Sequence, residues 1–287
     1  MRQQIGVVWR ALRPHQWLSN LVIFAPLIFS GELFDLTLLV QVCAGFLLLC
    51  ALSSVTFLVN DVIDQERDRQ HPVRRHRPVA AGELSPRQAI ILALILTVVA
   101  LVEAFIWQPA FGLAAAGYLL LMVSYSLVLR RLPVVDVLAI AIGLDLRAVA
   151  GALLIQVTIS PLLYLSVGGL GLVLALGRIE YEMRLAQASG TLEEGKYTTE
   201  AVARMNSVAL ACTLSVYCLY TFLATGVPAD YRMMVTIPFV IFGIFRYRYL
   251  IQQDGDRSPE RMMLADPSLL IAGALWVLTA VIVLYWI

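Results

Sequence analysis

The sequence predicts an all-α integral membrane protein in which nine transmembrane helices form a single domain. Hydrophobic residues make up 60% of the 287 residues and charged residues only 14%, and the mean hydropathy is +0.81. These values lie far outside the range of soluble domains. Several uncharged segments reach the roughly 20 residues that a helix needs to cross a bilayer core of about 30 Å. We therefore expect a protein of the bilayer and no nucleic-acid partner.

The spans can be assigned in chain order from the apolar segments and the charges between them. The first is short, and the eighth carries two arginines near its end. The predicted spans are 17–30, 36–59, 86–107, 109–129, 134–157, 161–177, 202–225, 233–251 and 268–287.

Residues 1–16 are predicted to form an interfacial amphipathic helix that leads into the first span. A cleavable signal peptide is disfavoured because Arg10 and Arg13 stand among bulky apolar residues and no small-residue cleavage site follows. The domain is expected to cover 1–287, with cytoplasmic active-site loops at 60–85 and 178–201.

The basic residues predict the orientation of the bundle. With the N-terminus inside, 19 of the 21 lysines and arginines fall on the cytoplasmic side, where such residues collect. The exceptions are Arg147, inside a span, and Arg232, in an outer loop. We therefore predict a protein of a bacterial inner or plasma membrane, with the N-terminus and the active site cytoplasmic and the C-terminus outside.

An acidic motif begins where the uncharged segment 36–59 stops. It contains Asn60, Asp61, Asp64 and Asp68, and a helix that continued past the segment would place the three carboxylates on one face. Carboxylates stacked in this way repel one another unless a cation lies between them, and Mg²⁺ accepts a few carboxylate oxygens while keeping substrate phosphates as ligands. The pattern favours a metal-diphosphate site; the alternative is a solvated helix end paired with neighbouring arginines.

Three arginines follow the acidic motif, at Arg74, Arg75 and Arg77. The planar guanidinium binds phosphate oxygens through two nitrogens and keeps its charge. The run therefore favours contacts with substrate phosphates, with a purely topological role as the alternative.

Two further groups of charges are candidates for a site. Arg178 and Glu182 are four residues apart and would be neighbours on a helix, either as an ordinary surface pair or as part of the site. Asp145 and Arg147, with Asp136 nearer its start, lie within the fifth predicted span. Charges at such depth are costly, so they predict an inner polar cavity lined by several helices.

The motif NDxxDxxxD at 60–68, followed by Arg77 and Pro78, resembles the first acidic motif of the UbiA superfamily of intramembrane prenyltransferases. Members have nine helices around a central cavity, which here would open to the cytoplasmic face. Other blocks are more similar to the polyprenyl-phosphate phosphoribosyltransferase branch, exemplified by decaprenyl-phosphate phosphoribosyltransferase. These blocks are LRPHQWLSN at 12–20, RPVAAG at 77–82, LRAVAG at 146–151, and the segment 237–247.

The resemblance implies an enzyme that transfers phosphoribose from phosphoribosyl pyrophosphate to a polyprenyl phosphate with Mg²⁺. Asp61, Asp64 and Asp68 would bind the metal and act as catalytic residues. The implied substrate-binding residues are Asn20, Asn60, Arg74, Arg75, Arg77, Tyr125, Arg130, Arg147, Arg178 and Glu182.

The chain departs from the family pattern at several positions. Ser19, Arg130 and Arg178 stand where the family usually has lysine, and a second acidic motif of the DxxxD type is absent near Gly177. The last departure fits the phosphoribosyl branch, and it also fits a diverged member with another substrate.

Two other functions stay open at the level of sequence. One is transfer of an isoprenyl chain from its diphosphate to an aromatic or other acceptor. The other is transport, which is disfavoured because inverted repeats with broken helices in two halves are not visible. A homo-oligomer is compatible with the sequence, since small residues at 110–117 could pack helices within one chain or between chains.

Overall fold

The computed structural model of the chain describes residues 2–70, 74–188, 196–224, 231–253 and 258–286, without the side chains of 2–4 and 188. Within these ranges all regular elements are helical and no strand occurs. Some residues of the predicted loops, spans and cytoplasmic charges lie outside the described residues. These are 71–73, 189–195, 225, 257 and 287.

The N-terminal part consists of α1 (Arg2–Leu12), a 3₁₀ helix (Pro14–Phe24) and α2 (Ala25–Phe29). Short 3₁₀ turns at Arg74–His76, Leu129–Arg131 and Arg232–Thr236 lie between later helices. These helices are α3 (Leu36–Ile63), α4 (Gln65–Gln70), α5 (Pro86–Trp107), α6 (Pro109–Leu127), α7 (Val135–Ile155), α8 (Pro161–Ala188), α9 (Thr199–Leu223), α10 (Ile237–Gln252), α11 (Pro259–Ala265) and α12 (Pro267–Tyr285).

In the described part of the chain, eight helical segments are long and apolar enough to cross a membrane, and they correspond to the second to ninth predicted spans. The prediction of an integral membrane protein is thereby confirmed. The helix α8 continues beyond the sixth predicted span, from residue 177 to Ala188. Arg178 and Arg184 each contact a glutamate four residues away along this extension, and such pairs support a helix beyond its apolar part.

The first predicted span does not form one long α-helix. Residues Pro14–Phe24 are 3₁₀, and α2 adds only five residues. Pro14 and Pro26 each lie at the start of one of these two pieces, where their missing N–H groups are tolerated. Nine α-helical spans are therefore not confirmed.

The main core lies where α3, α6, α7 and the 3₁₀ segment meet. Ile23, Leu49, Phe111 and Tyr118 are buried together there. Gly151 of α7 lies against the backbone of Ile23, so that a Cβ atom at this position would collide with it. Only glycine allows this approach, which places the 3₁₀ segment directly on α7.

The run of small residues on α6 contributes to this core, since Ala114 and Ala115 are buried within the chain. Large apolar side chains on α5 and other outer faces are exposed, among them Ile91 and Leu94, as expected for surfaces that contact lipid.

Charged residues at one end of the bundle join helices that are distant in sequence. Glu180 of α8 accepts hydrogen bonds from Arg248 of α10 at 2.5 Å and from Asn206 of α9 at 3.2 Å. Arg184 donates to the Gln252 carbonyl at 2.6 Å. These contacts fix the neighbouring ends of α8, α9 and α10 to one another.

Candidate active site

Three aspartates stand at the junction of α3 and α4. Helix α3 ends just before Asp64, and α4 begins just after it. Helical hydrogen bonds nevertheless cross the junction, from Asp64 N to the Asn60 carbonyl at 2.9 Å and from Asp68 N to the Asp64 carbonyl at 2.8 Å. The helical spacing of the motif therefore persists, although α3 itself does not run on. Asp61 and Asp68 are buried, and Asp64 is half-buried.

Arg77 links two of the carboxylates. Its Nη1 atom lies 2.6 Å from Asp68 Oδ2 and 3.4 Å from Asp61 Oδ1. Asp61 also accepts a hydrogen bond from Arg13, whose guanidinium lies 5.4 Å from the centre of the Phe57 ring. Burial and the charge of Arg77 lower the pKa of Arg13 to about 10, against the opposing effect of Asp61. Arg13 is therefore charged at neutral pH, and its contact with Asp61 offsets the repulsion between the carboxylates.

Asp64 faces a different arginine. Arg130, in the turn that follows α6, donates from Nη1 to Asp64 Oδ2 and from Nη2 to Oδ1, each at 2.6 Å. Burial raises the pKa of Asp64, but the hydrogen bonds and charge of Arg130 outweigh this effect, so the pKa is lowered overall. This two-nitrogen geometry is the strong form of an arginine-carboxylate pair.

Glu182 of α8 connects the arginine run to the opposite wall of the site. It accepts hydrogen bonds from Arg74 at 3.3 Å and from Arg178 at 3.4 Å. Tyr125 is half-buried within electrostatic range of Arg178 and Arg130. The structure thus brings Arg74, Arg77, Tyr125, Arg130, Arg178 and Glu182, all predicted site residues, to the same side of the bundle as the aspartates.

Three oxygens of the acidic motif fit a hard metal ion. Asn60 Oδ1, Asp61 Oδ2 and Asp68 Oδ1 are buried and accept no hydrogen bond from the residues that the structure describes. Carboxylate and amide oxygens are the donors that Mg²⁺ prefers, and buried oxygens without partners are costly. Among the described residues no three His, Cys, Asp or Glu side chains form a ready ligand group, and the other oxygens of Asp61 and Asp68 are bound by Arg13 and Arg77.

The sequence comparison identifies the family. A sequence model described as the UbiA prenyltransferase family matches residues 20–272. The chain belongs to the UbiA family. Among curated relatives, it is 30% identical to the decaprenyl-phosphate phosphoribosyltransferase of Mycobacterium tuberculosis, over 96% of this chain and 92% of the relative. It is 29% identical to the enzyme of that name from Corynebacterium glutamicum, over 96% of this chain and 86% of the relative.

Solved structures show the same fold. A UbiA homologue from Archaeoglobus fulgidus bound to GPP and Mg²⁺ superimposes with a TM-score of 0.74 at 20% identity, covering 97% of this chain and 99% of the homologue. A digeranylgeranylglyceryl phosphate synthase matches with a TM-score of 0.65 at 14% identity, covering 99% of this chain and 100% of the synthase.

In this UbiA member, two predicted residues lie apart from the aspartates. Arg147 donates to Asn20 Oδ1 at 2.7 Å, to the Gly143 carbonyl at 2.9 Å and to the Tyr118 hydroxyl at 2.8 Å. The Ser53 hydroxyl donates to the same Asn20 Oδ1 atom at 3.1 Å and forms a hydrogen bond with the Tyr118 hydroxyl at 3.0 Å. We call these five residues the buried polar cluster. Ser53 is eight residues before Asp61 in α3, so the cluster lies about 12 Å deeper along the helix.

Other predicted charges do not join the site. Arg75 is exposed and contacts His76 at 3.3 Å. Asp145 does not pair with Arg147 but lies beside Gly168 of α8, and its Oδ1 atom has no partner among the described residues.

The UbiA site also contains residues that sequence reasoning missed. Arg13 was counted as a topological charge and was not assigned to the site, yet it binds Asp61 from 48 residues away. Its backbone is left-handed, with φ 52°, although a residue before proline rarely adopts that region. The signal in the sequence was the block LRPHQWLSN at 12–20, which contains Arg13 and carries part of the family resemblance.

Proposed function

We propose that the chain transfers 5-phosphoribose from phosphoribosyl pyrophosphate to a polyprenyl phosphate, with Mg²⁺, at the cytoplasmic face of the membrane. The observation that carries the proposal is the set of unpartnered, buried oxygens at Asn60, Asp61 and Asp68, surrounded by arginines suited to phosphate. The choice of phosphoribose as the transferred group rests on the curated relatives named above.

Asp61, Asp64 and Asp68 would hold the metal, with Asn60 completing the shell. When bound, Mg²⁺ would neutralise charge on the pyrophosphate. Since Arg77 and Arg13 are held by carboxylates here, their guanidinium groups would exchange one carboxylate contact for a phosphate oxygen when substrate binds. Arg130 would likewise release Asp64.

In the reaction, the bond between ribose C1 and the pyrophosphate oxygen breaks, and a bond from C1 to an oxygen of the lipid phosphate forms. The attacking oxygen is already anionic, so no side chain has to remove a proton. Charge grows on the leaving pyrophosphate, and fixed cations aimed at growing charge are the main source of rate enhancement in such a site. Arg77 and Arg13 would supply this stabilisation, while Arg74 and Arg178, joined by Glu182, would bind the second phosphate group.

The proposal also includes the orientation of the protein in the membrane and the number of its transmembrane crossings. An 11-residue 3₁₀ helix and the five residues of α2 would together reach about 30 Å, at about 2.0 and 1.5 Å per residue. This length equals that of a bilayer core. We infer that the segment is the first of nine crossings around a central cavity, in a single domain with the N-terminus and the site cytoplasmic and the C-terminus outside.

The test uses purified protein in detergent, ribose-labelled phosphoribosyl pyrophosphate and a polyprenyl phosphate, with and without Mg²⁺. Magnesium-dependent labelled lipid that is lost in Asp64→Asn supports the proposal. Glu66→Gln is the matched control, because Glu66 is exposed on the same segment and pairs with Arg69, three residues away, at 3.0 Å. The contrary outcome is a protein that forms no labelled lipid but moves an isoprenyl chain from its diphosphate to an acceptor. That outcome would contradict phosphoribosyl transfer and assign prenyl transfer to the same site.

A further inference from the structure

A compact group of contacts joins the start of α9 to the segment between α6 and α7. Tyr197 donates its hydroxyl hydrogen to Asp136 Oδ1 at 2.6 Å, and the same hydroxyl accepts the Val134 N–H at 2.6 Å. Lys196 binds the other oxygen of Asp136 and donates to the Arg130 carbonyl at 2.8 Å. Asp136 is 4% exposed. Both oxygens of one buried carboxylate are therefore satisfied by two consecutive residues.

The backbone held by these contacts is strained. Val134 has φ 69° and ψ −43°, a region that is unfavourable for a β-branched residue. Such conformations cost on the order of 1–3 kcal/mol and persist only where the surroundings enforce them. The hydrogen bond from the Val134 amide to Tyr197 is one such constraint.

The strained segment leads directly to the site. Arg130 lies four residues before Val134; its carbonyl is held by Lys196 while its guanidinium binds Asp64 through two hydrogen bonds. Contacts thus run from Tyr197 and Lys196 to the backbone of residues 130–136 and on to an aspartate of the proposed metal site.

We infer that Lys196, Tyr197 and Asp136 form a latch that positions Arg130, so that its guanidinium binds Asp64 in the absence of substrate and the leaving pyrophosphate during the reaction. The latch residues are positioning residues, since their contacts are with the backbone and with one another. The inference rests on the proposed function for the identity of the phosphate, but the latch itself can be tested without it.

The test is a double-mutant cycle with Tyr197→Phe, Arg130→Gln and the double variant, in purified full-length protein. The first readout is the melting temperature in detergent without ligand, and the second is binding of magnesium pyrophosphate. We expect Tyr197→Phe to weaken pyrophosphate binding about tenfold with Arg130 present and less than twofold in Arg130→Gln, because residues that act through one another are not additive. Tyr197→Phe should likewise lower the melting temperature when Arg130 is present and change it much less in Arg130→Gln.

Tyr285→Phe is the matched control. Its hydroxyl accepts the Leu33 N–H at 2.8 Å and contacts the Ile28 carbonyl at 2.9 Å, so the change removes a similar pair of hydrogen bonds at a distant place. This variant should affect both Arg130 backgrounds equally. Lys196→Arg should retain pyrophosphate binding, whereas Lys196→Gln should lose it.

Equal effects of Tyr197→Phe with and without Arg130, in both readouts, would overturn the latch. If the wild-type protein does not bind magnesium pyrophosphate, the proposed function fails, and the ligand-free melting cycle alone decides the latch: coupling supports it and additivity refutes it.

Discussion

Arg130 and Asp64 form two parallel hydrogen bonds of 2.6 Å across 66 residues of sequence. This pair ties the end of α6 to the end of α3 and places a guanidinium where a cation is expected to bind. In the proposed function, Arg130 would compete with the metal for Asp64, and ligand binding at this site would include an exchange of partners.

Asp64→Asn should abolish magnesium-dependent transfer while leaving the fold intact. The amide keeps the size of the side chain but removes the charge that a metal needs, and a lost electrostatic contact of this kind costs about 10²–10³ in rate. Turnover with labelled phosphoribosyl pyrophosphate measures the loss, and a gel-filtration profile in detergent checks the fold. Near-wild-type, magnesium-dependent turnover in a folded Asp64→Asn protein would contradict the assignment of the metal site.

Arg13→Lys should make activity depend on pH in the alkaline range. Burial lowers the pKa of Arg13 to about 10, and the same burial would lower the pKa of a lysine from its ordinary value of about 10.4. The lysine is charged at low pH and loses its proton as the pH rises, so the variant should lose activity on the alkaline side earlier than the wild type. Parallel pH profiles of the two proteins would show instead that Arg13 does not act through its charge.

The predictable part of the site was local in sequence. The spacing of Asp61, Asp64 and Asp68 and the i,i+4 pair of Arg178 with Glu182 could be inferred from helical geometry. The contacts of Arg13 and of Tyr197 could not, because they join segments 48 and 61 residues apart and depend on how helices pack. The first span was also misjudged in form, since apolarity indicates a crossing but not the 3₁₀ winding of Pro14–Phe24.

Arg147→Met should lower stability more than it lowers pyrophosphate affinity. The change removes the hydrogen bonds that the charged guanidinium donates to Asn20, Gly143 and Tyr118, and hydrogen bonds to charged groups contribute about 1.5–3 kcal/mol each. Melting in detergent, with and without magnesium pyrophosphate, measures both effects. Arg131→Met is the control, because Arg131 is exposed. Unchanged melting with lost pyrophosphate binding would assign Arg147 to the substrate, as the sequence resemblance implies.

Val134→Gly should raise the melting temperature. Glycine adopts φ 69° without the steric cost that valine bears there, and the valine side chain is 49% exposed, so little burial is lost. The relief of about 1–3 kcal/mol exceeds the roughly 0.5–1 kcal/mol that glycine costs in chain entropy. Val135→Gly is the control: it lies next to Val134 but inside α7, where glycine destabilises, so it should melt lower than the wild type.

Stability should fall in acid through Asp266, at the junction of α10, α11 and α12. This carboxylate binds Arg246 Nη2 at 2.7 Å and accepts the Leu269 N–H at 2.8 Å, which caps α12. The hydrogen bond from Arg246 lowers the pKa of Asp266 below its ordinary value of 3.8. A lowered pKa in the folded state means that the stabilisation is fully present above about pH 3.8 and is lost as the pH falls through the lower, folded value.

The variant Asp266→Asn tests this pH dependence. It keeps a capping oxygen but not the charge, so its melting temperature should lie below that of the wild type at pH 6 and approach it at about pH 3. Asp35→Asn, whose described contacts are the capping bonds to the backbone of Thr37 and Leu38, controls for loss of a cap charge alone. A constant difference between Asp266→Asn and wild type across this pH range would show that the Arg246 pair does not stabilise the junction.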